Sequence, residues 1–123
     1  MEIIYSDSKV ESQCTSIKNA QKLFGGNKAL ALSLHARIAA LSSAEIIKDI
    51  IVQPQFRFHE LHDKGKNKYK GYFAIDVKTK KEPWRIILRP LDENKEPFDP
   101  CNIDEIAGTV EIIEIKEVSN HYE

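Results

Sequence analysis

Two histidines three residues apart, in the segment RFHELH (57–62), are the first residues of this chain whose types and spacing suggest chemistry. An H-x-x-H pair can hold zinc, and a histidine with a pKa near 6.5 can carry protons at neutral pH. The run QFRFHEL alternates as a strand does, with Phe56 and Phe58 on one side and Arg57, His59 and Leu61 on the other. Residues three apart on a strand point to opposite faces, so His59 and His62 cannot both reach one ion unless the strand ends between them. No metal and no cofactor is expected, His62 has no assigned role, and His59 is left as the candidate proton carrier.

His59 shares its predicted strand face with Arg57. If the next strands pair as a meander, Arg85 and Arg89 of WRIILRP project onto that face as well. A histidine among cations suits proton transfer at a phosphate. The loop HDKGKNKYK (62–70) lacks the G-x-x-x-x-G-K-[ST] spacing of a phosphate-cradling loop. Its Lys64, Lys66 and Lys68 form a basic lip for backbone contacts without sequence readout. Tyr69 and Tyr72 beside it suit either base stacking or sheet packing. The closing EVSNHYE continues the last strand, which brings His121 and Tyr122 to the end of the sheet.

With 123 residues, 41% of them hydrophobic, the chain is the size of one domain, 1–123. No apolar stretch approaches the roughly 20 residues that span a bilayer, and MEIIYSDSK does not resemble a signal peptide. A cytoplasmic protein with no membrane partner is expected. Cys14 and Cys101 lie far apart and outside any C-x-x-C pattern, so reduced thiols are expected. The net charge of −1 conceals an uneven distribution. Residues 57–90 hold ten Lys and Arg against four Asp and Glu, whereas 91–123 hold two against ten. A basic middle is the footprint of something that meets phosphate. The acidic tail is then left for the far side of the molecule or for a partner.

The elements that position these residues read as helices first and strands after, behind a short first strand, EIIY (2–5). Ser6, Asp7 and Ser8 offer N-caps to a helix carrying Val10, Cys14, Ile17, Gln21 and Phe24, which Gly25-Gly26 stops; Cys14 points at the core. A second helix, from about Asn27 to Leu41, places Leu30, Leu34, Ile38 and Leu41 on one stripe and completes a hairpin. Ser42 and Glu45 have the spacing of a capping box for a short third helix ending near Ile50, and Pro54 forbids further helix. The strand period then appears in 55–61, in GYFAIDV (71–77), in WRIILRP (84–90) and in TVEIIEIKEV (109–118), with a short helix at the end of the connection 92–108. The expected fold is α+β, with an N-terminal helical hairpin packed on one face of a mainly antiparallel sheet of four to five strands, the other face wet.

Taken in order, YSDSKVESQCTS with KLFG, HARIAALSSA, RFHELH, GYFAIDV, WRIILRP and EIIEIKEVSNHYE resemble the HigB-type toxins of bacterial type II toxin–antitoxin systems, a branch of the RelE/ParE superfamily. The resemblance covers nearly the whole chain. It implies a curved RelE/ParE-like sheet and metal-independent cleavage of mRNA on the translating ribosome. His59 falls on the family's R-x-H-x-L pattern and Arg85 on W-R-[IL]. The tail departs from the usual terminal D-Y-H. Either His121 is kept as the last histidine, or Asn120, His121 and Tyr122 replace all three. The implied chemistry is removal of a 2′-OH proton, attack on the adjacent phosphorus and protonation of the departing 5′ oxygen. His59 and His121 share the acid and base roles, Tyr122 assists, Arg85 stabilises phosphate charge, and Arg57, Arg89 and the loop lysines bind substrate.

The resemblance also implies a small helix-turn-helix antitoxin, HigA-like, that neutralises the toxin in a complex of higher oligomeric order. Two other classes compete. A ParE-like toxin acts on DNA gyrase through protein contacts and needs no histidine pair, and an inert module would only touch nucleic acid.

Overall fold

The computed structural model describes residues 1–62 and 69–120. Its first strand, β1 (Glu2–Tyr5), is followed by α1 (Ser8–Thr15), α2 (Ile17–Leu23), α3 (Lys28–Ser43) and the single turn α4 (Lys48–Ile51). A 3-10 turn (Pro54–Phe56) leads to β2 (His59–Glu60), β3 (Phe73–Asp76) and β4 (Arg85–Leu91), then α5 (Ile103–Ile106) and β5 (Ile112–Ser119). The fold is α+β. The sheet is mixed, in the order β1-β5-β4-β3-β2, with β1 parallel to β5 and the other pairs antiparallel. Helices do not simply precede strands: β1 comes first and closes the far edge against the last strand, and α5 separates β4 from β5.

Local chemistry explains the helical half. Asp7 caps α1 through its carboxylate, which accepts from the Val10 amide at 2.9 Å. The expected first helix is two helices, because Ser16 ends one and begins the other. Its amide donates to the Ser12 carbonyl at 3.0 Å, and its hydroxyl accepts from the Asn19 amide at 3.3 Å. Serine competes with helix continuation through such local bonds. Gly25 and Gly26 take φ of +64° and +92°, and Asn27 then caps α3 by accepting from the Leu30 amide at 3.1 Å. Val10, Cys14, Ala20, Phe24, Leu30, Leu34 and Leu41 are buried against one sheet face, together with Phe73, Ile75, Ile86, Leu88, Ile113, Ile115 and Val118.

The Ser42–Glu45 capping box does not form, because α3 continues through Ser43 and keeps Ser42 inside it. Asp49 reaches back instead, its carboxylate accepting from the Glu45 and Ile46 amides at 3.1 and 3.2 Å. The strand expected from Gln55 is also corrected. Pro54 starts a 3-10 turn that buries Phe56, and Arg57 lies in the left-handed region at φ 47°, leaving only His59 and Glu60 in β2.

In β3 and β4 the alternation holds. One side supplies the main core, while Ala74 and Ile87 on the other are buried with Leu61 and Tyr69, and Tyr72 packs against them. The second face is therefore not simply wet. In β5 a bulge breaks the period: Glu117 pairs with Ile87 but Ile115 pairs with Leu88, so Lys116 is the extra residue. The bulge lets Ile115 and Val118 share the core side although they are three apart.

The two readings of the 42–49 region separate by mutation. Asp49→Ala should cost about 1 kcal/mol of unfolding free energy as a lost cap. Ser42→Ala, at an exposed helical position, should stay within about 0.5 kcal/mol. Urea denaturation of both variants measures the contrast.

Candidate functional site

The structure brings Arg57, His59 and Arg85 together and adds a residue that the sequence reading treated only as part of an alternating strand, Asp76. In the β3–β4 register Asp76 stands opposite Arg85, which stands opposite Ser119 on β5. The Asp76 carboxylate is buried and lies between two guanidinium groups. Arg57 Nε donates to both its oxygens at 3.1 and 3.0 Å, and Arg57 Nη2 lies 3.0 Å from Oδ1. Arg85 Nε reaches the same Oδ1 at 3.1 Å.

The two arginines are not equivalent. The side chain of Arg85 is 7% exposed, and that of Arg57 is 31% exposed. Arg85 Nη1 donates to the carbonyls of Trp84 (2.9 Å) and Glu82, and its Nη2 donates to that of Lys80 (3.0 Å). These bonds tie the turn before β4 to the sheet. Arg57 is the cation of the pair that faces solvent in part.

His59 joins this cluster through the backbone. Its Nδ1 lies 2.7 Å from the Arg57 carbonyl, which can only accept, so the neutral ring carries its proton on Nδ1 and its lone pair on Nε2. The left-handed turn at Arg57, a conformation costing roughly 1–2 kcal/mol for a residue with a Cβ, accompanies this contact. Burial pushes the His59 pKa below its ordinary 6.5, and the Arg57 and Arg85 charges act in the same direction. The hydrogen bond to Arg57 and the Asp76 charge oppose them without reversing the result. His59 is thus a neutral imidazole at pH 7 with a defined tautomer.

A third arginine, Arg37 on α3, also escaped the sequence reading. Its Nε donates to the Asp76 carbonyl at 3.1 Å and its Nη2 to the carbonyls of Lys78 (3.0 Å) and Gln55 (3.2 Å). Its guanidinium lies 4.7 Å from the centre of the Phe56 ring. It fastens the 3-10 turn to the end of β3, and so fixes where Arg57 and His59 begin. Helical position alone gave no sign of this, because the partners are backbone carbonyls distant in sequence.

Arg89 lies apart from this cluster. Its Nε is 2.7 Å from Glu114 Oε1 across β4 and β5, and its guanidinium is 5.0 Å from the Tyr72 ring centre. Lys64, Lys66, Lys68, His121 and Tyr122 lie outside the described residues. His62 follows β2 and is exposed.

Family models, curated proteins and solved structures were compared with the chain, and none matches. Among the described residues no group of three His, Cys, Asp or Glu side chains could hold a metal ion, and no helix is long and apolar enough to cross a membrane.

Asp76→Asn should destabilise the fold by roughly 3 kcal/mol in urea denaturation, since it leaves two guanidiniums facing a neutral, partly donating amide. The pH dependence at His59 has a defined sign. The unfolded chain takes up a proton near pH 6.5 and the folded ring resists it. Stability should be fullest above pH 6.5 and fall as pH drops towards the lower folded pKa. His59→Gln should flatten that part of the stability–pH curve, and an NMR titration of the ring should give a midpoint below 6.5.

Proposed function

We propose that this chain is a HigB-like toxin that cuts mRNA on the translating ribosome, with His59 as a proton-transfer residue. The observation that carries the reading is the neutral His59, its tautomer set by the Arg57 carbonyl, next to the Arg57–Asp76–Arg85 cluster. A base for a 2′-OH needs an imidazole that is uncharged at neutral pH, and a developing phosphorane needs a cation close by. Arg57, the more exposed cation, meets the phosphate. Arg85 acts behind it by holding Asp76, and its charge adds to the local field. His121, two residues after Ser119 in sequence, supplies the second proton-transfer group, and Tyr122 assists. Lys64, Lys66 and Lys68 hold the backbone of the substrate. The ribosome orders the RNA for in-line attack, which supplies much of the orientation requirement. The reaction takes place in the cytoplasm, and a helix-turn-helix antitoxin neutralises the toxin in a larger complex.

One observation favours a second reading. The Arg85 guanidinium is engaged by Asp76 and by backbone carbonyls, as suits a strut in a non-enzymatic toxin of the gyrase-binding kind.

Incubation of the purified protein with mRNA, with and without programmed ribosomes, decides between them. The nuclease reading expects cuts that need the ribosome, leave cyclic phosphate ends and persist in chelator. His59→Ala and His121→Ala should each slow cutting by about 100-fold or more, and Arg57→Ala should slow it with His59 intact. Wild-type cutting rates in both histidine variants would remove the assignment. DNA damage on induced expression, without arrest of translation, would favour gyrase.

A further inference from the structure

A cavity of about 640 Å³ lies beside the second sheet face. One wall comes from the β1–α1 turn and α1, with Asp7, Lys9 and Gln13; the other carries Tyr72, Arg89 and Lys116. Lys116 follows the core residue Ile115 and so faces this wall, the bulge in β5 bringing Glu117 beside it, and its ammonium lies 5.3 Å from the Tyr72 ring centre and 5.9 Å from that of Tyr69. The two rings meet edge to face at 6.3 Å.

The charges around this space balance. Arg89 is matched by Glu114, and Lys9 and Lys116 by Asp7 and Glu117, which also lines the cavity. A balanced lining gives a polyanion no advantage. It does suit a neutral aromatic ring whose edge both donates and accepts hydrogen bonds, with amide and carboxylate acceptors and ammonium donors on its rim.

We infer that this cavity holds an unpaired nucleobase of the RNA, stacked on Tyr72; the inference rests on the nuclease reading and adds a base-recognition site to it. Tyr72 precedes β3 by one residue, and Ala74, two residues further on, pairs with His59. Two strand residues span roughly 7 Å, so a base on Tyr72 lies about one nucleotide step from a phosphate at His59. Arg89 is fixed by Glu114 and keeps its place against the ring. Lys116 stands on a flexible stem and swings aside to contact the base that replaces it.

The test is titration of the full chain with a four-nucleotide RNA carrying 2′-O-methyl groups, which cannot be cut, and with the same backbone lacking bases. NMR shifts at Tyr72, Arg89 and Lys116, and quenching of tyrosine fluorescence, are expected with the first ligand and absent with the second. Tyr72→Ala should weaken binding by about 5- to 100-fold, while Tyr72→Phe and Tyr72→Trp keep it. Shifts confined to Arg57 and His59, or equal affinity for the two ligands, would overturn the inference. Wild-type shift mapping gives this answer even where Tyr72→Ala does not fold. The two proposals fail separately. Ribosome-dependent cutting with no base effect leaves the nuclease reading and removes the pocket, and base binding at Tyr72 without cutting does the reverse.

Discussion

The buried carboxylate of Asp76 is the constraint on which the rest of this structure depends. A single ionised group at the end of β3 accepts from Arg57 on the segment before β2 and lies against Arg85 of β4. The Asp76 backbone carbonyl meanwhile accepts from Arg37 of α3. Four segments distant in sequence thus meet at one residue. Taking charges out of water is costly unless their geometry is good and their remaining hydrogen-bonding capacity is used. The Arg85 guanidinium uses that capacity on carbonyls of the turn before β4, which makes the turn part of the same network. With two cations to one anion, the cluster keeps a surplus positive charge, and that surplus helps hold His59 neutral.

The β5 bulge is the second determinant, and it acts on the opposite end of the same face. A regular strand would carry Ile115, Glu117 and Ser119 on one side. The extra residue instead returns Val118 to the core side and leaves Lys116 and Glu117 together on the cavity side. One irregularity therefore satisfies the core and shapes the wall of the cavity. The face is divided as a result into an ion-pair cluster about Asp76, a buried apolar row at Ala74 and Ile87, and a polar aromatic wall at Tyr72.

Most of this framework was legible in the sequence wherever a local rule decided the outcome. EIIY is a strand at its expected bounds, the long helix begins at the expected Asn27–Lys28, and the alternation in GYFAIDV and WRIILRP sorts core residues from second-face residues correctly. What failed was local pattern opposed by backbone chemistry. QFRFHEL alternates like a strand, yet Pro54 fixes a turn and Arg57 takes a left-handed conformation. Ser42 and Glu45 have the right spacing for a cap, but α3 runs on through Ser43 and keeps Ser42 inside it. The sequence marks His59 and Arg85 as candidates, and the structure places both beside Asp76. Asp76 itself carries no signal in the sequence, because its contacts are with partners 19 and 9 positions away rather than in any spacing of its own.

The charge balance illustrates the same limit and bears on function. Counted along the chain, a basic middle precedes an acidic tail, which suggests a positive face and a remote negative one. Antiparallel pairing places the last strand of the acidic segment beside the basic one, so Glu114 of β5 neutralises Arg89 of β4 on a shared face. Asp76 likewise removes part of the charge of Arg57 and Arg85. Among the described residues the cationic field available to a polyanion is therefore smaller than the count along the chain implies. A protein built this way would gain little from long-range attraction to RNA. On the nuclease proposal, specificity would come from short-range contacts, through a neutral imidazole, one partly exposed guanidinium and an aromatic wall, with the substrate already held in place.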